Sequence, residues 1–159
     1  MAQIYISLGS NVNKEHYLAA GLKALLTHFP DSIHSSVYES EAVGFAGRNF
    51  YNSVLGAQTA MSLADVCRVL KEIELDNGRT HQDKKFSPRT LDLDLLFYDD
   101  VICESPAQLP RDEVVKNAFV LQPLHEVAAD FYHPVVAKTI DEIWREYHNP
   151  QQKLWKVEL

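Results

Sequence analysis

The sequence predicts an α+β fold: an antiparallel sheet of the split β-α-β type, with helices on one face and ligand-binding loops over the other. Three observations lead there. Up to Phe97 the elements run strand, helix, strand, strand, helix, strand. Both helical stretches carry apolar residues at spacings of three and four, so each has one stripe to bury. Leu91 to Leu95 alternates leucine with aspartate, the period-two pattern of a strand with two unlike faces.

The elements follow in order. Gln3 to Leu8 is β-prone and stops at the turn residues Gly9-Ser10-Asn11. Asn13 is placed to cap a helix carrying Tyr17, Leu18, Gly21, Leu22, Leu25, Leu26 and Phe29, which Pro30-Asp31 ends. Ile33 to Tyr38 reads as a second strand, followed by a glycine-containing loop from Glu39 to Gly47. Phe50 to Thr59 is a third strand. Ser62 caps a helix with Leu63, Val66, Cys67, Leu70, Ile73 and Glu74 along one side, a side that turns acidic at its end.

After Asn77-Gly78 comes a polar stretch, Arg79 to Pro88, holding Arg79, Lys84, Lys85 and the partly charged His81. The strand Leu91 to Phe97 ends at Tyr98-Asp99-Asp100, and Val101 to Cys103 is expected to pair beside it. A short helix covers Glu113 to Ala118. Further helices run from Leu121 to Ala128 and from about Thr139 to Tyr147, and Leu154 to Val157 adds an edge strand. This is the ferredoxin-like arrangement, with residues 1–159 read as one domain.

Composition removes other classes. Hydrophobic residues make up 46% and charged residues 23% of the chain, which excludes a disordered or coiled-coil protein. Lys plus Arg is 15 against Asp plus Glu at 22, a formal net charge of -7. That balance argues against nucleic-acid binding, which needs many phosphates neutralised. A single small anionic substrate stays open, above all with a metal ion. No apolar run is long enough to span a membrane and no leader segment is read, so a cytoplasmic protein is expected. Cys67 and Cys103 have no metal-ligand spacing and read as buried free thiols.

Asp92 and Asp94 share one face of their strand, with Cβ atoms about 6 to 7 Å apart, twice the strand rise. Like charges held this close need compensation. A hard divalent cation such as Mg²⁺ supplies it, and two ions could share the pair; a solvated face or structural salt bridges are the other readings. Arg89 lies three residues earlier and could clamp a phosphate or pair with an aspartate. Arg79, Lys84 and Lys85 could close over a polyphosphate. Phe50, Phe86 and Phe119 with the bifunctional amide of Asn52 suit a flat heterocycle, although each ring alone also reads as core. Gly44-Phe45-Ala46-Gly47 lacks the Lys-Ser/Thr of a P-loop. His28, His34 and His148 read as surface histidines.

The run Ser87-Pro88-Arg89-Thr90-Leu91-Asp92-Leu93-Asp94-Leu95-Leu96 resembles the signature of the 6-hydroxymethyl-7,8-dihydropterin pyrophosphokinases of folate biosynthesis. The resemblance extends through Tyr5 to Asn11, Phe50-Tyr51-Asn52, Ile73-Glu74-Leu75 with Gly78-Arg79, and Phe119-Val120-Leu121 with Pro123-Leu124. It implies transfer of the β,γ-pyrophosphoryl group of ATP to the pterin hydroxymethyl oxygen, leaving AMP. It also implies that Asp92 and Asp94 bind two Mg²⁺ ions. Asn52, Phe50, Phe86, Phe119, Ser40 and Val43 would meet the pterin, with Asp92 beside it. Glu74, Arg79, His81, Lys85, Arg89 and Arg111 would line the ATP site, with Arg79 on a closing catalytic loop. A monomer is expected, since all these residues come from one chain.

The chain departs from the family pattern at several positions. His81 replaces a loop arginine, Phe86 a tryptophan and Glu41 a proline; Arg111 stands where the family has a phosphate-binding histidine, and Asn117 replaces an arginine. Two accounts follow. In one, Lys84, Lys85, Arg111 and Lys116 redistribute the charge and transfer is kept. In the other, a divergent paralogue binds nucleotide or pterin but uses another acceptor or is inactive.

Overall fold

The computed structural model describes residues 1–41, 49–78, 90–149 and 152–158. Strand β1 (Ala2–Ser10) leads into helix α1 (Lys14–His28), short strands β2 (Ser32–His34) and β3 (Val37–Ser40), and the long β4 (Phe50–Thr59). Helix α2 (Leu63–Asp76) and strand β5 (Asp92–Tyr98) follow. The remainder comprises α3 (Glu113–Lys116), α4 (Ala118–Ala128), the paired strands β6 (Tyr132–His133) and β7 (Lys138–Thr139), α5 (Ile140–Glu146) and β8 (Leu154–Val157).

The main sheet has the order β5-β1-β4-β3-β8, with β2 also on β4, and the paired strands run antiparallel. On one face Ile4, Ile6 and Leu8 of β1, Leu55 of β4, and Leu93 and Leu95 of β5 pack with Leu18 and Leu25 of α1 and with Val66, Leu70 and Ile73 of α2. These are the stripes read from the sequence. Gly21 permits the close approach of α1 to the segment leading into β5, because a Cβ there would fall 2.8 Å from Leu91 Cδ1.

The α+β class and antiparallel sheet match the expectation, but the placement of all helices on one face needs correction. Helices α4 and α5 cover part of the second face, packing Val120, Leu121, Leu124, Ile140 and Ile143 over Tyr5, Val54, Leu96 and Phe97. The cause lies in β5. Its register against β1 shifts between Tyr5 and Ile6, so Leu96 and Phe97 both join the second apolar cluster. That apolar end of the face requires cover. The other end, where β1 finishes, carries the acidic pair.

Local differences have local causes. The strand expected over Ile33 to Tyr38 is broken into β2 and β3 at Ser35-Ser36. There the Ser35 hydroxyl accepts the Val54 N–H at 2.9 Å, and Ser36 donates its N–H to Glu126 at 2.7 Å. Side chains thus replace ladder bonds. Ser62 caps α2 as read, accepting the Asp65 N–H at 3.2 Å, whereas Asn13 sits at φ 48° and its side chain makes no capping bond. Cys103 bridges Leu109 instead of pairing with β5. His34 is half-buried and bonded to the Ser53 hydroxyl at 2.9 Å, so it is not a free surface histidine. Helix α4 begins at Ala118, earlier than read, because Gln152 from the C-terminal segment accepts the Ala118 N–H at 2.7 Å. Strand β8 forms the expected edge, against β3. Among the described residues, no helix is long and apolar enough to cross a membrane.

Candidate active site

Directly opposed residues of antiparallel strands share a sheet face. Gly9 of β1 is opposed by Asn52 of β4 on one side and by Asp92 of β5 on the other. Ser7 is likewise flanked by Val54 and Asp94, while Tyr38 opposes Asn52 and Ser40 opposes Phe50. Register therefore puts Ser40, Phe50, Asn52, Asp92 and Asp94 on one face. Asn52 and Asp92 stand two strand spacings apart, roughly 10 Å.

Gly9, between them, is the centre of that row. A Cβ on it would lie 3.1 Å from Asn52 Oδ1, so the missing side chain leaves room for the amide. Asn52 itself is only 6% exposed, and none of the side-chain hydrogen bonds among the described residues engages its amide. A buried amide with unused donors and acceptors is suited to the edge of a polar heterocycle.

Two contacts hold the acidic strand. The Ser10 hydroxyl donates to the Thr90 carbonyl, tying the approach to β5 onto the end of β1. Glu74 of α2 accepts the Leu93 N–H on its Oε2 at 2.8 Å. Strand β5 is a sheet edge, so this carboxylate satisfies an outward-facing amide between the two aspartates. The expectation placed Glu74 at the nucleotide; its bond to the strand of Asp92 and Asp94 is not visible from spacing.

Asp94 keeps a quarter of its side chain exposed. Burial, reinforced by the charges of Asp92, Glu113 and Glu74, pushes its carboxyl up to about 7 against the opposing pull of Arg111. Arg111 Nη2 stands 3.4 Å from Asp94 Oδ1 and 3.0 Å from Glu113 Oε1. Burial works against the Arg111 charge, but Asp94 and Glu113 outweigh it and raise the guanidinium pKa. The carboxylates thus form an electron-rich oxygen surface with one cation already drawn to it.

Among the described residues, no group of three or more His, Cys, Asp and Glu side chains is arranged to hold a metal alone. Two neighbouring carboxylates still fit a hard divalent cation, because Mg²⁺ takes only one or two protein oxygens beside phosphates and fills its octahedron with water. The elevated Asp94 carboxyl supports that fit, since a nearby positive charge would relieve it.

Phe119, in the first turn of α4, is half-buried against the second apolar cluster. Asn117, expected as a lost phosphate clamp, is used structurally: its Oδ1 accepts from Gln152 Nε2 at 3.0 Å. Lys116 pairs with Asp112 at 2.9 Å and stays exposed. Val43, Arg79, His81, Lys84, Lys85, Phe86 and Arg89 lie outside the described residues. Sequence reading missed Gly9 as a spacer, Glu113 as the partner of Arg111 and Gln152 as a cap. Only Glu113 carried a nearby signal, standing two residues from Arg111.

The family model for 7,8-dihydro-6-hydroxymethylpterin-pyrophosphokinase matches residues 5–129. The chain belongs to this family. It is a pyrophosphokinase, an enzyme that transfers pyrophosphate from ATP to hydroxymethyldihydropterin in folate synthesis.

A 2-amino-4-hydroxy-6-hydroxymethyldihydropteridine pyrophosphokinase of Aquifex aeolicus is 34% identical over 145 residues, covering 89% of this chain and 90% of that protein. One of the same description from Pseudomonas aeruginosa is 33% identical over 138 residues, covering 83% and 84%. Among solved structures, the wild-type Plasmodium falciparum HPPK-DHPS crystallised with pteroate superposes with a TM-score of 0.70 at 13% identity. It covers 92% of this chain and 42% of that one, and supports the pyrophosphokinase fold.

Proposed function

We propose that this pyrophosphokinase uses Asp92 and Asp94 to hold two Mg²⁺ ions against the triphosphate of ATP, beside a pterin pocket formed around Asn52. The observation that carries the reading is the row Asn52–Gly9–Asp92 across three adjacent strands. Its span of roughly 10 Å suits a bicyclic ring whose hydroxymethyl arm reaches the carboxylates.

When bound, the ions would neutralise the triphosphate and lower the pKa of the acceptor hydroxyl. The chain does the positioning. Asn52 presents its amide to the donor and acceptor edge of the pterin, with Ser40, Val43 and Phe50 at the border and Phe86 and Phe119 over the ring faces. Glu74 holds β5 in register, so that Asp92 and Asp94 keep their spacing. Arg79, His81, Lys85, Arg89 and Arg111 are the side chains assigned to the phosphates. The acceptor oxygen then attacks the β-phosphorus in line, the bond to the α-phosphate oxygen breaks, and AMP leaves. One chain, a single domain over residues 1–159, supplies all of these groups, so a monomer suffices.

The test mixes the protein with ATP, Mg²⁺ and 6-hydroxymethyl-7,8-dihydropterin and follows nucleotide products. AMP forming in equal amount to pterin diphosphate is the expected result. Production of ADP would overturn pyrophosphoryl transfer, and AMP without pterin would overturn the acceptor.

A further inference from the structure

We infer that Arg111 is the resident counter-ion of Asp94: it holds the carboxylate in the nucleotide-free protein, yields it to the incoming divalent cation, and turns its guanidinium to the nucleotide phosphates. The inference rests on the reading of Asp94 as a metal ligand.

The geometry suits a cation that is held in place yet able to turn. The Arg111 backbone is anchored, its N–H donating to the Leu96 carbonyl at 3.1 Å, while Cys103 and Leu109 exchange bonds of 3.0 and 2.9 Å just before it. The side chain starts from a defined point beside β5. At its far end Glu113 Oε1 takes both Nε, at 3.1 Å, and Nη2, at 3.0 Å. Asp94 has the longer contact, 3.4 Å from Nη2 to its Oδ1. About a third of each side chain in the Arg111–Glu113 pair is exposed, so rotation needs no unpacking of the core.

Competition follows from charge. A guanidinium and a divalent ion on the same Asp94 oxygen would stand within a few ångströms of one another and repel. The weaker contact gives way. The released fork keeps Glu113 and turns a planar set of donors outward, the geometry that grips phosphate oxygens. Arg111 would thus moderate metal binding before ATP arrives and strengthen it afterwards.

The test measures Mn²⁺ binding to the nucleotide-free protein by calorimetry or by the loss of the free Mn²⁺ resonance signal, with folding checked by thermal unfolding. Arg111→Gln should bind Mn²⁺ about tenfold more tightly than the unaltered protein, since removing an adjacent positive charge favours a second cation. Arg111→Lys, which keeps the charge, should lie between the two. With α,β-methylene-ATP present the order should reverse, Arg111→Gln binding the Mn²⁺ complex more weakly.

Unchanged or weaker Mn²⁺ binding by Arg111→Gln without nucleotide overturns the counter-ion role, and so does Arg111→Lys behaving like Arg111→Gln. Asp94→Asn separates the two levels of the argument. If it binds Mn²⁺ as well as the unaltered protein, the metal assignment itself fails. If it loses Mn²⁺ while Arg111→Gln is unchanged, only the competition fails.

Discussion

Gly9 and Asn52 face each other across β1 and β4, and the Asn52 amide oxygen lies 3.1 Å from the point where a Gly9 Cβ would be. Gly9→Ala should therefore displace the amide by a few tenths of an ångström and raise the pterin KM roughly tenfold, the scale of one misaligned hydrogen bond in a polar site. The ATP KM should change less. Steady-state kinetics in each substrate separates these effects, and equal changes in both would argue against an Asn52-specific role.

Asp92→Ala and Asp94→Ala should each lower turnover by at least about a thousandfold, the usual scale of losing a charge-stabilising group at the reacting centre. Neither should lower the thermal midpoint of the metal-free protein, because each removal relieves like-charge repulsion. Unaltered AMP formation in either variant would refute the two-carboxylate site.

Asp94 also makes metal-free stability depend on pH. Its folded carboxyl titrates at about 7, well above the ordinary aspartate value. Between those two values the folded protein keeps a proton that the unfolded chain has lost, so stability falls as pH rises through this window. In EDTA, raising the pH from 5 to about 8 should lower the unfolding midpoint. His34 and His133, whose pKa values burial lowers, act in the opposite direction, so the comparison is with Asp94→Asn. The difference between the two proteins should shrink at low pH. Mg²⁺ binding should release a proton near neutrality, measurable as a buffer-dependent heat.

Glu74→Ala leaves the Leu93 N–H of an edge strand without its carboxylate, at a cost of about 1–3 kcal/mol. Glu74→Gln keeps an acceptor oxygen and should recover most of that loss in urea unfolding. Activity should follow the same order, because the amide lies between Asp92 and Asp94.

Gln152 accepts the first N–H of α4 and donates to Asn117 Oδ1. Gln152→Ala should destabilise the protein by about 1 kcal/mol, the usual worth of a helix cap. It should also raise the pterin KM, since Phe119 follows Ala118 directly. Asn117→Arg should cost similar stability because it breaks the same tie. A higher turnover in that variant would show that phosphate clamping is limiting.

Much of the fold could be read along the chain. The alternation in Leu91 to Leu95 assigned leucines to one face and aspartates to the other, and Ser62 marked the start of α2. Such signals work because strand and helix periods are local. The same reading failed at Leu95-Leu96-Phe97, where an apolar run has no alternation to reveal that Leu96 and Phe97 turn toward α4 and α5. It failed at Ser35-Ser36 as well, where a distant Glu126 replaces the missing ladder bond.

The candidate site divides in the same way. Residue type and spacing singled out Asp92, Asp94, Asn52 and Phe50, since carboxylates, amides and rings announce their chemistry wherever they stand, and the family resemblance added Arg111. That Gly9 separates Asn52 from Asp92, that Glu74 secures Leu93, and that Arg111 rests on Asp94 came from the assembled sheet. Each joins residues far apart in the chain or on separate elements. Their meeting is set by how buried faces match across the whole core, and no local period encodes that match.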